Sequence, residues 1–264
     1  MPRAQTRPRA SAQVVFEWLG RVEAEYRSAA ITQETVLWLI QLGASPDLVR
    51  AGNRIVDDEL VHTDMSRKVW AAAGGGGVPR LDRRTLEIGR AHPELEIDLV
   101  SAIVKIFCLN ETVAVPLFAH LRRGATVPVA RRALDRILKD EVRHRDFGWT
   151  ALEWLLALPG APAMHAAIAA GLPGWLADLE RSYGDDLVGG TQSLTDDERA
   201  WGLAPAPEFA AILHRTIERD YTRRFARLGI EMPARPQATS PGAADGTARP
   251  RRPATPRPSI ARSR

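Results

Sequence analysis

The chain is predicted to be all-α: four long helices joined as two antiparallel hairpins by a long crossover, with additional C-terminal helices. Three observations predict this. Apolar residues recur at alternating steps of three and four along four long segments, the period of helices packed at shallow angles. No segment carries a comparable strand pattern. The breaks between the four segments run short, long, short, which makes two hairpins and a crossover rather than a simple up-and-down bundle.

The first segment, 11–42, sets Val15, Trp18, Val22, Glu25, Ala29, Thr32, Val36 and Leu39 on one seam and stops at Gly43. Ser45-Pro46-Asp47 restarts the chain with Pro at an early helical position. The second segment, 46–73, has Leu48, Gly52, Ile55, Glu59, His62, Ser66 and Val69 on its seam, and the run Gly74 to Gly77 ends it. A crossover of about twenty residues follows, too long for a tight hairpin. His92-Pro93 opens the third helix, whose seam reads Val100, Val104, Phe107, Glu111, Ala114, Phe118 and Leu121, and Pro116 inside it predicts a kink. Gly124 and Pro128 bracket a short turn. The fourth helix then carries Leu134, Ile137, Glu141, His144, Gly148, Ala151 and Leu155 until Pro159-Gly160.

Residues 161–231 read as two or three further helices, broken at Gly171-Leu-Pro-Gly174 and around Gly184 to Thr191. The last runs from Pro205 to Leu228, with Arg215, Arg219, Arg223, Arg224 and Arg227 near its end, and is expected on the outside of the bundle. The expected organisation is a basic tail at 1–12, the bundle at 13–158, added helices at 161–231 and a Pro/Arg-rich tail at 232–264.

The formal charge of +4 is unevenly spread. Seven Arg against one Asp follow residue 231, and three Arg with no acid precede residue 13, so the segment between the tails is net acidic. Both tails are rich in Pro, Ala, Ser and Gly and are expected to be disordered. A basic tail can touch nucleic acid, but a solvated tail is the simpler reading, and nucleic acid is not the expected partner. No run approaches the apolar length of a membrane span and no signal-peptide pattern opens the chain, which places the protein in the cytoplasm as an expectation. Cys108 is the only cysteine. An internal disulfide and a thiolate-rich metal site are therefore excluded, and any metal must be held by Glu, Asp and His.

Six ionisable residues stand where the seams otherwise place Val, Leu, Ile or Phe: Glu25, Glu59, His62, Glu111, Glu141 and His144. Buried carboxylates cost several kcal/mol each unless positive charge compensates them. Two divalent cations would balance the four carboxylates without any Lys or Arg on the seams. In Glu59-Leu-Val-His62 and Glu141-Val-Arg-His144 the two side chains lie about 4.5 Å apart along the axis on one face. Each helix can then give a bridging carboxylate and a terminal imidazole, completed by one Glu from each remaining helix, as in di-iron carboxylate bundles. Oxygen-rich ligation with two imidazoles suits iron or manganese. Glu59, Glu111 and Glu141 would be closest to the chemistry. One Glu-x-x-His carries little information; two Asp-Glu-x-x-His units on the second and fourth helices carry much more.

Asp58 and Asp140 precede the two ligand Glu residues. Asp140 is placed to orient His62, and Asp58 to orient His144. Glu25 lies farther from the first turn than Glu59 does, by nearly one helical turn, and Glu23 and Glu34 are alternatives that fall off the seam. Cys108 reads as a small core residue one turn before Glu111. The tryptophans read as core and rim packing, and His92, His120, His165 and His214 remain unassigned.

On these residues the chain resembles the ferritin-like di-iron carboxylate superfamily. Within it, EYRSAAITQETVLWLIQLGAS, DDELVH, FCLNETVAV and KDEVRHRDFGWTALEWLL are similar to bacterial ferritin-like domain proteins, over about residues 20–158 and weakly over 200–230. The resemblance implies a ferritin-like bundle with Glu25, Glu59, His62, Glu111, Glu141 and His144 as ligands of two iron ions, with a manganese–iron pair as the alternative, and dioxygen as a reactant. Multicomponent hydroxylases of the superfamily carry a Thr one turn after the third-helix Glu. This chain has Val115 there, which argues against that mechanism.

The first functional expectation is a non-haem di-iron oxidoreductase that oxidises a small organic substrate, since a storage subunit would not need residues 161–231. The alternative is a ferroxidase or iron-storage protein, and the third is an RNA-modifying hydroxylase that uses the basic tails. The electron donor is left open, and a homodimer is compatible with the sequence.

Overall fold

The structure is a computed structural model that describes residues 8–183 and 193–233. The expectations for residues 1–7, 184–192 and 234–264, including most of both tails and the break near Gly184, lie outside the described residues. The chain is all-helical, with no strand among the described residues.

Helix α1 spans Ala12–Gln41 and begins where the Ser11 side chain accepts from the Val14 amide. Gly43, with φ of 77°, turns the chain in a conformation that favours glycine. Helix α2, Pro46–Ala72, starts with a Ser45 cap and Pro46 in its first turn. Ser28 bonds Glu59, and Val36 packs beside Gly52, so α1 and α2 run antiparallel. Helix α3, Leu95–Gly124, and helix α4, Pro128–Leu156, form the second antiparallel hairpin, with Gly148 against Phe107 and the Trp149 indole donating to Thr112 at 3.0 Å.

Across the hairpins, Asp58 meets Arg143 and His62 meets Asp140, so α2 is also antiparallel to α4. Helices α2 and α3 therefore point the same way, and residues 73–94 return along the bundle between them. Two carboxylates fix this strap. Glu34 on α1 accepts from the Ile88 amide at 2.6 Å, and buried Asp98 accepts from the Arg90 guanidinium and the Ala91 and His92 amides.

Beyond the four helices come α5, Ala161–Tyr183, and the short α6, Asp196–Ala200, which opens with a Thr195/Glu198 capping box. Helix α7 follows as Ala206–Thr216, a π-helical turn Ile217–Tyr221, and Thr222–Arg227. Helices α5 and α7 pack against α3 rather than extending the four-helix layer. The apolar core falls into two patches. One is built around Leu39, Ile55, Phe107 and Leu152, the other around Trp18, Val69, Leu121 and Leu134. On α1, α2 and α4 the six-residue constellation occupies the interval between them.

The structure corrects the sequence reading in four places. First, the third helix carries an irregularity that was not read from the sequence: α3 continues through Pro116, and a π-helical stretch, Ile103–Glu111, lies upstream of it. Pro116 withholds an amide from the preceding turn, and the wider turn before it redistributes the remaining bonds. The freed backbone is not left bare: the Tyr221 hydroxyl of α7 donates to the Leu109 carbonyl at 2.6 Å. Second, α5 runs unbroken through Gly171-Leu-Pro-Gly174, because Met164, Ile168, Leu172, Leu176 and Leu179 form one buried face whose packing overrides local propensity. Third, residues 8–11 are not free tail. The Arg9 amide and the Ser11 hydroxyl bond Asp197 and Glu198 of α6, and the Trp201 indole donates to the Pro8 carbonyl. Fourth, α3 is long and apolar enough to cross a membrane by length and composition, although 56% of its apolar window is buried within the protein.

Candidate metal centre

The register of the first hairpin resolves the apparent mismatch at Glu25. If Ser28 stands opposite Glu59, then three residues back Glu25 stands opposite His62, three residues on. Its Oε2 is 3.7 Å from His62 Nδ1. The second hairpin repeats the relation: Gly148 opposes Phe107 and Cys108, which sets Glu111 level with His144. The outer carboxylate of each hairpin is thus level with the histidine of its partner helix, not with the glutamate. Glu34, an alternative to Glu25, is occupied with the crossover strap.

Two groups of three side chains can converge on a cation: Glu25, Glu59 and His62, and Glu59, Glu111 and His144, with ligand atoms within 4.8 Å of one another in each. Glu59 belongs to both. Its Oε2 lies 3.4 Å from His62 Nδ1 and its Oε1 lies 3.5 Å from His144 Nδ1, so each oxygen faces one imidazole. Glu141 falls outside both groups but borders them, with Oε2 3.8 Å from His144 Nδ1 and its carboxyl against Glu111. The two imidazole centroids are 5.7 Å apart. All six predicted residues are therefore brought together.

The fit to a cation rests on which atoms lack partners. Buried Glu25 Oε1, Glu59 Oε2, His62 Nδ1, Glu141 Oε2 and His144 Nδ1 have no hydrogen-bond partner. Buried polar atoms in folded proteins are normally satisfied, and here five orphans on three helices, α1, α2 and α4, face one another. Glutamate oxygens and imidazole nitrogens are a donor set suited to a divalent ion. The buried Glu/His cluster could hold a metal ion.

Without a cation the cluster must share protons. Burial, helped by Glu25 and Glu111 and opposed by His62, pushes the Glu59 carboxyl up to about 7. Burial and the neighbouring Glu111 carry Glu141 well above the usual range. Burial works against Glu25 too, but the close approach of His62 and Glu59 and the charge of Arg21 hold it low. Burial also disfavours the His62 cation, yet Glu25 and Glu59 outweigh it and raise that imidazole to about 10. His144 is raised against its own burial by Asp58 and Glu59.

The far nitrogens of both rings face the predicted aspartates. His62 Nε2 is 3.2 Å from Asp140 and His144 Nε2 is 3.5 Å from Asp58. What the sequence reading missed is the pair of arginines that closes this layer. Arg143 donates to both Asp58 and Asp140, at 2.7 and 2.6 Å, and Arg136 bonds both as well. The aspartates overcome their burial through the arginine bonds, with His62 bonded to Asp140 and the His144 ring close to Asp58, and stay below the ordinary carboxylate range. The signal was present on α4, where Arg136 and Arg143 lie four residues before and three after Asp140, on one helical face.

A cavity of 670 Å³ between α1, α3 and the added helices opens onto Glu25, Glu59, Glu111 and Glu141. Ser28 and Tyr183 on its wall were not singled out by sequence. Ser28 donates to Glu59 Oε1 at 2.7 Å, and burial, with Glu111 and Glu141 close by, raises the Tyr183 phenol to about 12. One turn beyond Glu111, Ala114 lines the cavity. Cys108 is fully buried in the core, as its simpler reading held, and burial raises its thiol well above the usual range. Comparisons with protein-family models, with curated proteins and with solved structures find no match for this chain.

Proposed function

We propose that the chain is a ferritin-like di-iron oxidoreductase that uses dioxygen to oxidise a small organic molecule. The observation that carries the reading is the set of mutually facing, partnerless ligand atoms on Glu25, Glu59, His62, Glu141 and His144. Two short hairpins with a parallel α2 and α3 between them are the connection of ferritin-like bundles, which adds support. A pair of iron ions, or a manganese–iron pair, would supply redox activation of dioxygen at this position. Glu59, which belongs to both groups of candidate ligands, would be shared between the ions, with Glu25 and His62 holding one and Glu111 and His144 the other. Glu141, beside Glu111, would complete the set. Asp140 and Asp58 hold the imidazoles in orientation, and Arg136 and Arg143 keep those aspartates ionised.

The cavity favours substrate oxidation over iron storage. Its walls are contributed partly by Tyr183 and Phe209 of the added helices, and its inner end is the carboxylate cluster itself. A half-open, largely apolar space of this volume suits a small organic ligand. The test is an anaerobic ferrous load followed by a pulse of oxygen in the presence of ascorbate. Oxygen uptake that outlasts iron oxidation and depends on an added organic molecule is expected. Uptake that stops once the iron is oxidised, with mineral accumulating in a large particle, would instead identify a ferroxidase.

A further inference from the structure

The cavity contains a cation that the metal cluster does not use. Arg21 lies on α1 one turn before Glu25, and its guanidinium sits over the Trp18 ring at 4.6 Å and the Phe118 ring at 5.0 Å. The aromatic faces hold it in place, but they satisfy none of its N–H groups. Its Nη1 is sealed from solvent without a hydrogen-bond partner, and no ion pair is formed by Arg21 among the described residues. Glu17 and Glu25 lie close enough to favour its charge, but neither bonds it: Glu17 is exposed, and Glu25 is turned toward His62. The guanidinium also lines the cavity, where no carboxylate bonds it among the described residues, and an incoming carboxylate matches its fork.

The other walls define the rest of the ligand. Ile106, Leu117, Phe118, Leu121, Leu203 and Phe209 give the space an apolar lining. Arg21 precedes Glu25 by one turn, about 6 Å of helix rise, and its guanidinium is stacked on Trp18 and Phe118, which lie a further turn out from the carboxylate cluster. The apolar lining between them suits a ligand with an apolar body rather than a bare acetate, with its far end at the metal-facing carboxylates.

We propose that the cavity binds an organic acid with an apolar body, anchored through its carboxylate by Arg21 and presenting its opposite end to the Glu25, Glu59, Glu111 and Glu141 cluster. This rests on the oxidoreductase reading for the fate of the ligand, but not for its binding. Arg21 is accordingly a specificity-determining residue: it selects acids over neutral molecules of the same shape.

The experiment uses the full chain loaded with redox-silent zinc, with octanoate and 4-phenylbutyrate as probes and their primary amides as neutral isosteres. Binding is followed calorimetrically and by the fluorescence of the tryptophans, one of which stacks on Arg21. The acids are expected to bind at least tenfold more tightly than the amides. Arg21→Gln should abolish that preference while leaving amide binding in place, and Arg21→Lys should keep part of it. Cobalt uptake and melting temperature are measured on the same variants, so a misfolded protein is recognised and Arg21→Lys then carries the comparison. Equal binding of acids and amides, failure of both acids to bind, or an unchanged preference in Arg21→Gln overturns the proposal. Loss of acid preference in Arg21→Gln with cobalt uptake intact supports it. Acid selectivity in a protein that takes up no cobalt leaves the anion site standing and removes the metal reading instead.

Discussion

Glu141 and Asp98 are two buried carboxylates pushed in opposite directions by what surrounds them. Burial and Glu111 favour the neutral form of Glu141 in the metal-free protein, so Glu141→Gln should remove little there. Its metal-free melting temperature should match or exceed that of the original chain, while the stabilisation gained on adding a divalent metal falls; scanning calorimetry with and without metal reads both. Asp98 is the contrary case. Burial works against its ionised form, but the Arg90 guanidinium and the His92 and Ala91 amides hold its pKa below normal. A group depressed in the folded state stabilises above its unfolded pKa, and that contribution disappears as pH falls through the folded value. Asp98→Asn should therefore cost about 1–3 kcal/mol at neutral pH, the range for stranding buried donors. The gap between variant and original should close on acidification below about pH 4, the ordinary Asp range. A gap that persists in urea melts at low pH would contradict this account of the strap.

At the scale of elements, the π-helical stretch of α3 joins the added helices to the metal centre. It ends at Glu111, brings Phe107 against Gly148, and has its Leu109 carbonyl capped by Tyr221 from α7. Wider turns of this kind often occur at functional sites because they re-aim the side chain that follows. Tyr221→Phe keeps the ring and strands the carbonyl, so it should destabilise by about 1–3 kcal/mol in denaturant melts. It should also weaken metal uptake through Glu111, which a purely distant packing defect would not do. Gly148→Ala is expected to be costlier than an ordinary surface change. Its added carbon would fall 2.5 Å from Phe107 Cβ and 2.9 Å from the Phe107 backbone carbon, and overpacking of a core typically costs about 1–3 kcal/mol.

Across the whole molecule, what could be read from sequence is what a repeating pattern exposes when it is interrupted. Glu59, His62, Glu141 and His144 were legible because they break apolar seams at a spacing that fits one face, and Asp58 and Asp140 because they recur beside them. The helix limits were legible from Ser45-Pro46, Gly43 and Pro128. The level of Glu25 was harder, because it was compared with Glu59 when the register pairs it with His62. Arg21, Ser28, Tyr183 and Tyr221 were not legible: Ser28 and Tyr221 bond partners from other elements, Arg21 and Tyr183 are known only by the cavity they line, and no local period announces any of them. The continuity of α5 through Pro173 and the anchoring of residues 8–11 likewise depend on tertiary contacts that outweigh local propensity. The added helices line a half-open cavity that leads to the buried carboxylates, and the functional reading depends on that cavity.

The central claim is that cations belong among these six groups. Its most direct test is an anaerobic titration of the full chain with cobalt(II), following visible absorbance and melting temperature together. The account predicts saturation at two ions per chain, a rise in melting temperature on loading, and the loss of both in a His62→Ala, His144→Ala double variant that remains folded. An original chain that binds no more cobalt than the double variant, and melts at the same temperature with or without it, would contradict the account.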